Sequence, residues 1–167
     1  MTKSGAVIMS VFAGVWGIVG VWAVRPSLPW YGIPVLLTVL MLVAASRRGA
    51  AAVPPTDEEA AHVGRLVGVA SAVEGVLILV AVNVLRNVGR ADWVGPVVAI
   101  IVGLHFFPLA RWLPARLYYA TGLLLVAIGI GGFGIQDGSQ RLAAVSLSAA
   151  GVLWLTSAVI LFAPSGR

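Results

Sequence analysis

The chain has 167 residues, of which 60% are hydrophobic and only 10% are charged. That much apolar surface exceeds what a water-soluble core can bury, so the composition excludes a soluble globular domain and predicts an all-α, polytopic integral membrane protein. The formal charge of +5 does not indicate a nucleic-acid partner, because most basic residues flank apolar runs, where they set membrane topology. The absence of cysteine excludes disulfides and thiolate metal ligands.

The apolar runs, taken in chain order, predict a single helical bundle over residues 1–167 with about six transmembrane helices. The first run is too long for a signal-peptide core and counts as a span. The predicted spans are residues 6–24, 28–45, 66–85, 93–110, 117–135 and 142–162. Four of the five connections are short, so the helices on either side of each are expected to pack as antiparallel neighbours.

Only residues 46–65 make a longer connection. Within it, Thr56 followed by Asp57, Glu58 and Glu59 is typical of a helix start. The threonine side chain caps the helix, and the Glu59 side chain reaches back to the capping residue. The acidic residues are favoured at the positive, amino-terminal end of the helix dipole. The third helix is therefore expected to begin at Asp57, outside the bilayer, and to run inward.

Orientation follows from the basic residues on the two sides of the predicted bundle. One side has seven (Lys3, Arg47, Arg48, Arg65, Arg111, Arg116 and Arg167) and the other has four (Arg25, Arg86, Arg90 and Arg141). This difference predicts that both termini are cytoplasmic. The wealth of Ala, Val, Gly and Arg indicates a bacterial source, so we expect a multi-pass protein of the inner (plasma) membrane with the lipid bilayer as its first partner.

Glu74 is the most informative single residue, because it lies near the middle of the third span with no charged neighbour in sequence. An acid at the centre of a span costs about 2.5 to 3.5 kcal/mol on insertion scales, so its side chain should face protein or water. Two interpretations remain open. Glu74 is either a proton or cation site, or a neutral side chain that holds neighbouring helices together by hydrogen bonds.

His105, in the fourth span, is the expected partner of Glu74. At 1.5 Å of rise per residue, Glu74 lies roughly 12 Å and His105 roughly 7 to 8 Å from the inner face. Because a short loop joins the third and fourth helices, the two side chains are expected to meet directly or through water and to form one coupled titrating site. A histidine that only packs is the alternative interpretation for His105.

Small residues form a stripe along one face of the third helix, at Gly64, Gly68, Ser71 and Gly75. Such a stripe predicts close helix packing, within the bundle or between copies of the chain in a homo-oligomer. Gly14, Gly17 and Gly20 predict the same for the first helix. The glycines from Gly129 to Gly134 spell a dinucleotide-loop pattern, but they end a membrane span instead of following a strand, so they predict only a loosely wound helix end.

Three classes of function remain open at this stage. A proton-linked transporter of a small solute or ion would use Glu74 and have a polar cavity that reaches it. An accessory or structural membrane subunit would be a dry, filled bundle. A lipid- or quinone-binding protein or enzyme would have a lateral opening with Glu74 and His105 at its mouth. The sequence predicts no cofactor and no metal site, and nothing resembles a nucleophile with its base, which disfavours an enzyme.

Overall fold

The computed structural model describes residues 3–24, 27–47, 56–113 and 116–162, without the side chains of residues 3, 4, 59 and 60. All regular elements in this part of the chain are helical, which confirms the all-α fold class. The α-helices are α1 (Lys3–Ala23), α2 (Gly32–Arg47), α3 (Asp57–Asn87), α4 (Val94–Trp112), α5 (Arg116–Gly132) and α6 (Gly138–Phe162). Short 3-10 turns at Leu28–Tyr31 and Ala91–Trp93 precede α2 and α4.

Five of the predicted spans correspond to helices that are long and apolar enough to cross a membrane. The exception is α5, whose 17 residues reach about 26 Å, less than the roughly 30 Å of a hydrocarbon core. It ends three residues before the predicted boundary at Ile135, because the chain turns tightly there. The Phe133 amide donates to the carbonyl of Ile130, and the Gly134 amide to that of Gly131.

The start of α3 at Asp57 confirms the helix start predicted from the acidic residues that follow Thr56. The Glu59 side chain, expected to complete the cap, lies outside the described residues, as do Arg25, Arg48 and Arg167 of the topology count. The helix continues to Asn87 and ends in a reversal at Gly89, whose φ of 71° suits a residue without a Cβ. The Arg90 amide closes this reversal by donating to the carbonyl of Leu85 over 2.7 Å.

The described residues form two compact units, and the single bundle predicted for residues 1–167 stays a prediction. The first unit contains α1, α2 and α6, with α1 packed against both of the others. Gly20 of α1 lies against Leu147, and Ser10 lies against Ser157, so α1 and α6 run antiparallel. The amino end of α1 and the carboxyl end of α6 therefore lie at the same end of this unit.

Small side chains bring α1 and α6 close together. Ala6, Ser10, Ala149 and Ser157 are completely buried. Gly17 lies between Pro34 of α2 and Trp154 of α6, where a Cβ would come within 2.8 Å of both side chains. The packing predicted for the first-span glycines is therefore confirmed.

The second unit contains α3, α4 and α5, with α4 packed against both neighbours. Gly103 of α4 faces Gly122 of α5, and Phe106 packs edge-on against Tyr118 with ring centroids 5.7 Å apart. Gly129 is buried beside the carbonyl of Pro96, which corrects the expectation of a loosely wound end at this glycine. The missing side chain at Gly129 instead allows close approach of α4.

The small-residue stripe of α3 is exposed at Gly64, Gly68, Ser71 and Gly75. Among the described residues, no atom lies within 4 Å of a Cβ built at any of its three glycines. Close contacts between small residues occur in this unit at α4 and α5 instead. Packing of the α3 stripe against another copy of the chain or a membrane partner stays a prediction.

Candidate functional site

Glu74 of α3 and His105 of α4 meet inside the second unit. Nδ1 of His105 lies 3.5 Å from Oε2 of Glu74, which confirms that the short connection brings the two side chains together. The contact is longer than a strong hydrogen bond. Both groups are largely shielded, since the histidine side chain is 10% exposed and that of Glu74 is 15% exposed.

A second contact fixes the imidazole against α3. The ring hydrogen-bonds to the main-chain carbonyl of Ala70, one helical turn before Glu74. A carbonyl only accepts hydrogen bonds, so the imidazole donates an N–H to it. His105 thus contacts one face of α3 at two points four residues apart, the main-chain carbonyl of Ala70 and the carboxyl group of Glu74.

Ala70 could have been found from sequence, because residues i and i+4 share one face of a helix. Its carbonyl is nevertheless a main-chain group, which hydropathy and motif searches do not detect. The sequence predicts the pairing of Glu74 with His105, but it does not predict the Ala70 carbonyl as a third partner.

The Glu74–His105 pair lies in a groove of about 290 Å³ between α3 and α4. Apart from the pair, the lining side chains are apolar, among them Val69, Val73 and Leu77 of α3. Leu104 and Pro108 of α4 form the facing wall, and Trp112 lies at the end of α4.

The groove is open along its side. Val69, Val73 and Leu104 are each more than half exposed, whereas the paired side chains lie below them and are shielded. The groove therefore opens on the surface of the second unit, with Glu74 and His105 among its lining residues.

The chemistry available to the pair is proton exchange and hydrogen bonding. A carboxyl group and an imidazole each gain or lose one proton, and the distance between them permits transfer directly or through one water. The described residues contain no group of three or more histidine, aspartate or glutamate side chains that could hold a metal ion. His62, near the start of α3, is exposed and does not line the groove.

No protein-family model, no curated protein and no solved structure matches this chain. The Glu74–His105 contact and the groove around it are therefore the features that bear on function.

Proposed function

We propose that this chain is an integral membrane protein that binds a membrane-dissolved ligand between α3 and α4 and takes up or releases a proton at Glu74 and His105 as the ligand binds. The observation that supports this proposal is the 3.5 Å approach of the two side chains at the base of an apolar groove. A hydrated solute would meet mostly carbon atoms on this route. A ligand already dissolved in lipid loses little hydration on entering it.

Proton-linked transport is the second candidate function. It is favoured by the position of Glu74 within α3, well away from both ends of that helix, where an acid is costly and usually functional. Binding followed by movement of the ligand across the membrane would make the same pair the coupling site. A purely structural subunit would use Glu74 only to hold α3 to α4.

We also propose a multi-pass location in a bacterial plasma membrane with both termini cytoplasmic. The antiparallel arrangement of α1 and α6 supports an even number of crossings, and the basic residues favour the cytoplasmic side.

The proposed proton exchange is tested by NMR on protein in lipid nanodiscs with glutamate labelled by ¹³C at the side-chain carboxyl. The chain has three glutamates, Glu58, Glu59 and Glu74, so the spectrum is simple, and the Glu74→Gln variant identifies the Glu74 signal. We expect this signal to titrate and its midpoint to change in the His105→Ala variant, because the two groups interact.

Glu58→Gln is the matched control, since Glu58 is exposed at the start of α3 and lies outside the groove. It should leave the Glu74 titration unchanged. A Glu74 carboxyl that stays in one protonation state from about pH 4 to 9 would contradict the proposed function, because such a group exchanges no proton in the physiological range.

A further inference from the structure

We propose that the α3–α4 groove binds a lipophilic organic cation, whose apolar body lies along the groove walls and whose positive charge pairs with the Glu74 carboxylate in exchange for a proton. The proposal deepens the proposed function and rests on it, because it names the ligand class of the same site. It follows from the charge of the groove and the chemistry of its walls.

The charge of the groove selects a cation. Among the described lining residues, α3 contributes one titratable or charged side chain, Glu74, and α4 contributes one, His105. No lysine or arginine is among the described residues that line the groove. When His105 is neutral, an ionised Glu74 leaves one negative charge among apolar atoms, an arrangement that is costly until a proton or another cation neutralises it.

The walls select a ligand with a large apolar surface. Val69, Val73 and Leu77 on one side face Leu104 and Pro108 on the other, so a bulky hydrocarbon group would contact carbon on both sides. Trp112 adds an aromatic ring to the lining, and ring faces attract organic cations. A neutral amphiphile such as a quinone would displace no proton from Glu74 and would gain nothing from the carboxylate charge, and an anion would be repelled by that charge.

Proton and ligand compete for the same carboxyl group. The protonated acid releases its proton, the cation takes the vacated position, and the site has the same net charge before and after. One proton leaves for each monovalent cation bound, and no covalent bond other than O–H breaks. The apparent affinity for the cation should therefore rise about tenfold per pH unit, over the pH range in which Glu74 is protonated before the cation binds.

The experiment uses tetraphenylphosphonium as the probe and the full chain in nanodiscs of zwitterionic lipid. Binding is measured with a phosphonium-selective electrode from about pH 5 to 9, and empty nanodiscs provide the background. Tetraphenylborate, which has the same shape and the opposite charge, is tested in parallel. We expect saturable phosphonium binding to the protein that strengthens as the pH rises, and no saturable binding of the borate.

Two variants localise the binding. Glu74→Gln keeps the shape of the side chain and removes its charge, so phosphonium should bind about tenfold or more weakly, whereas Glu58→Gln should bind like the wild type. Val73→Trp places a bulky ring on an exposed position of the groove wall, so it should weaken phosphonium binding even if the first variant folds poorly.

Equal binding of phosphonium and borate, or equal phosphonium binding by wild type and Glu74→Gln, would overturn the inference. Saturable binding of a short-chain quinone with no phosphonium binding would also overturn it, in favour of a neutral ligand. The NMR titration separates the two proposals. A Glu74 signal that titrates without phosphonium binding rejects the cation and leaves the proton site intact, whereas a signal that does not titrate rejects both.

Discussion

Gly103 and Gly122 approach each other so closely that neither position has room for a side chain. A Cβ at Gly103 would lie 2.8 Å from the carbonyl oxygen of Gly122, and a Cβ at Gly122 would lie 2.7 Å from that of Gly103. Both obstacles are backbone atoms, which do not rotate away. The contact between α4 and α5 therefore requires glycine on both helices.

Gly122→Ala should lower the thermal stability of the protein in detergent. Alanine favours a helix over glycine by about 1 kcal/mol, but forcing the two backbones apart costs about 1 to 3 kcal/mol, so the change is expected to be destabilising overall. Gly151→Ala is the matched control, because a Cβ at Gly151 meets no described atom within 4 Å and Gly151 lies outside the α3 stripe. Circular dichroism during heating measures the thermal stability of both variants. A Gly122→Ala variant as stable as the control would contradict the packing.

The hydroxyls of Ser10 and Ser157 link α1 to α6 across their buried interface. They lie 2.7 Å apart, and both are within reach of the Ala6 carbonyl. Ser157→Ala removes the link and should destabilise the protein by about 0.5 to 1.5 kcal/mol. Ser46→Ala, at an exposed position, is the control and should change little. Chemical unfolding gives the free energy of unfolding of each variant. Similar values for the two variants would show that the link between the hydroxyls adds no stability.

The positions of the helices follow from sequence better than their packing faces do. Hydropathy locates α1 to α6 because burial in a bilayer requires long apolar runs. It does not reveal which face of a helix meets a partner, since the lipid-facing and protein-facing sides are both apolar. The α3 stripe and the Gly103–Gly122 contact therefore look alike in sequence, and only the second has a described partner.

The Glu74–His105 contact was predictable for a different reason. Polar side chains within apolar helices are few, and a short connection fixes which helices are neighbours and at what height. The groove around the pair was not predictable, because its shape depends on how the side chains of Leu104 and Pro108 lie relative to α3. Hydropathy also does not locate the first turn of α6: the apolar span is predicted from residue 142, and the helix begins at Gly138, before the apolar run.

Asp137 caps α6 and gives its amino end a dependence on pH. Its Oδ1 accepts hydrogen bonds from the Ser139 hydroxyl over 2.6 Å and from the Gln140 amide over 2.7 Å. These bonds, with the Ser139 hydroxyl as the largest cause, hold the pKa of the exposed carboxyl below its usual value. Because the folded-state pKa lies below the unfolded one, the cap stabilises α6 above the unfolded-state pKa, and this contribution is lost as the pH falls through the folded-state pKa.

Asp137→Asn should keep the cap and remove its pH dependence, since asparagine is a comparable N-cap that does not titrate in this range. Wild type and variant are compared by thermal unfolding at a series of pH values from about 2 to 7, where an unperturbed aspartate titrates near 3.9. The wild type should lose stability relative to the variant as the solution becomes acidic. A difference in thermal stability between wild type and variant that does not change with pH would show that the Asp137 charge is not coupled to folding.

Membrane topology provides a prediction that does not depend on the site. With both termini cytoplasmic, a reporter fused at Ala52 should lie inside the cell and one fused at Gly138 outside. Alkaline phosphatase, active outside, and a fluorescent protein, active inside, distinguish the two positions. Matching signals from the two fusions would reject the assignment.

The last prediction concerns the energetic coupling of Glu74 and His105. Side chains in contact should show non-additive effects when both are changed, whereas distant ones should not. We expect Glu74→Leu and His105→Ala to couple by at least about 0.5 kcal/mol in a double-mutant cycle of unfolding free energies, because either change alone already removes the 3.5 Å contact.

His62→Ala is the matched control for this cycle, since His62 is an exposed histidine on α3 outside the groove, and its effect should add to that of Glu74→Leu. A comparison of Glu74→Gln with Glu74→Leu also separates a proton site from a purely structural contact. At a proton site, Glu74→Gln abolishes proton exchange and leaves folding largely intact, because the amide keeps the shape of the side chain and its hydrogen bonding but cannot ionise. At a structural contact, Glu74→Gln is nearly silent, and Glu74→Leu destabilises because the leucine cannot bond to His105. Additive effects of Glu74→Leu and His105→Ala would mean that the two side chains do not interact in the folded protein, and the site would lose its proton-exchanging pair.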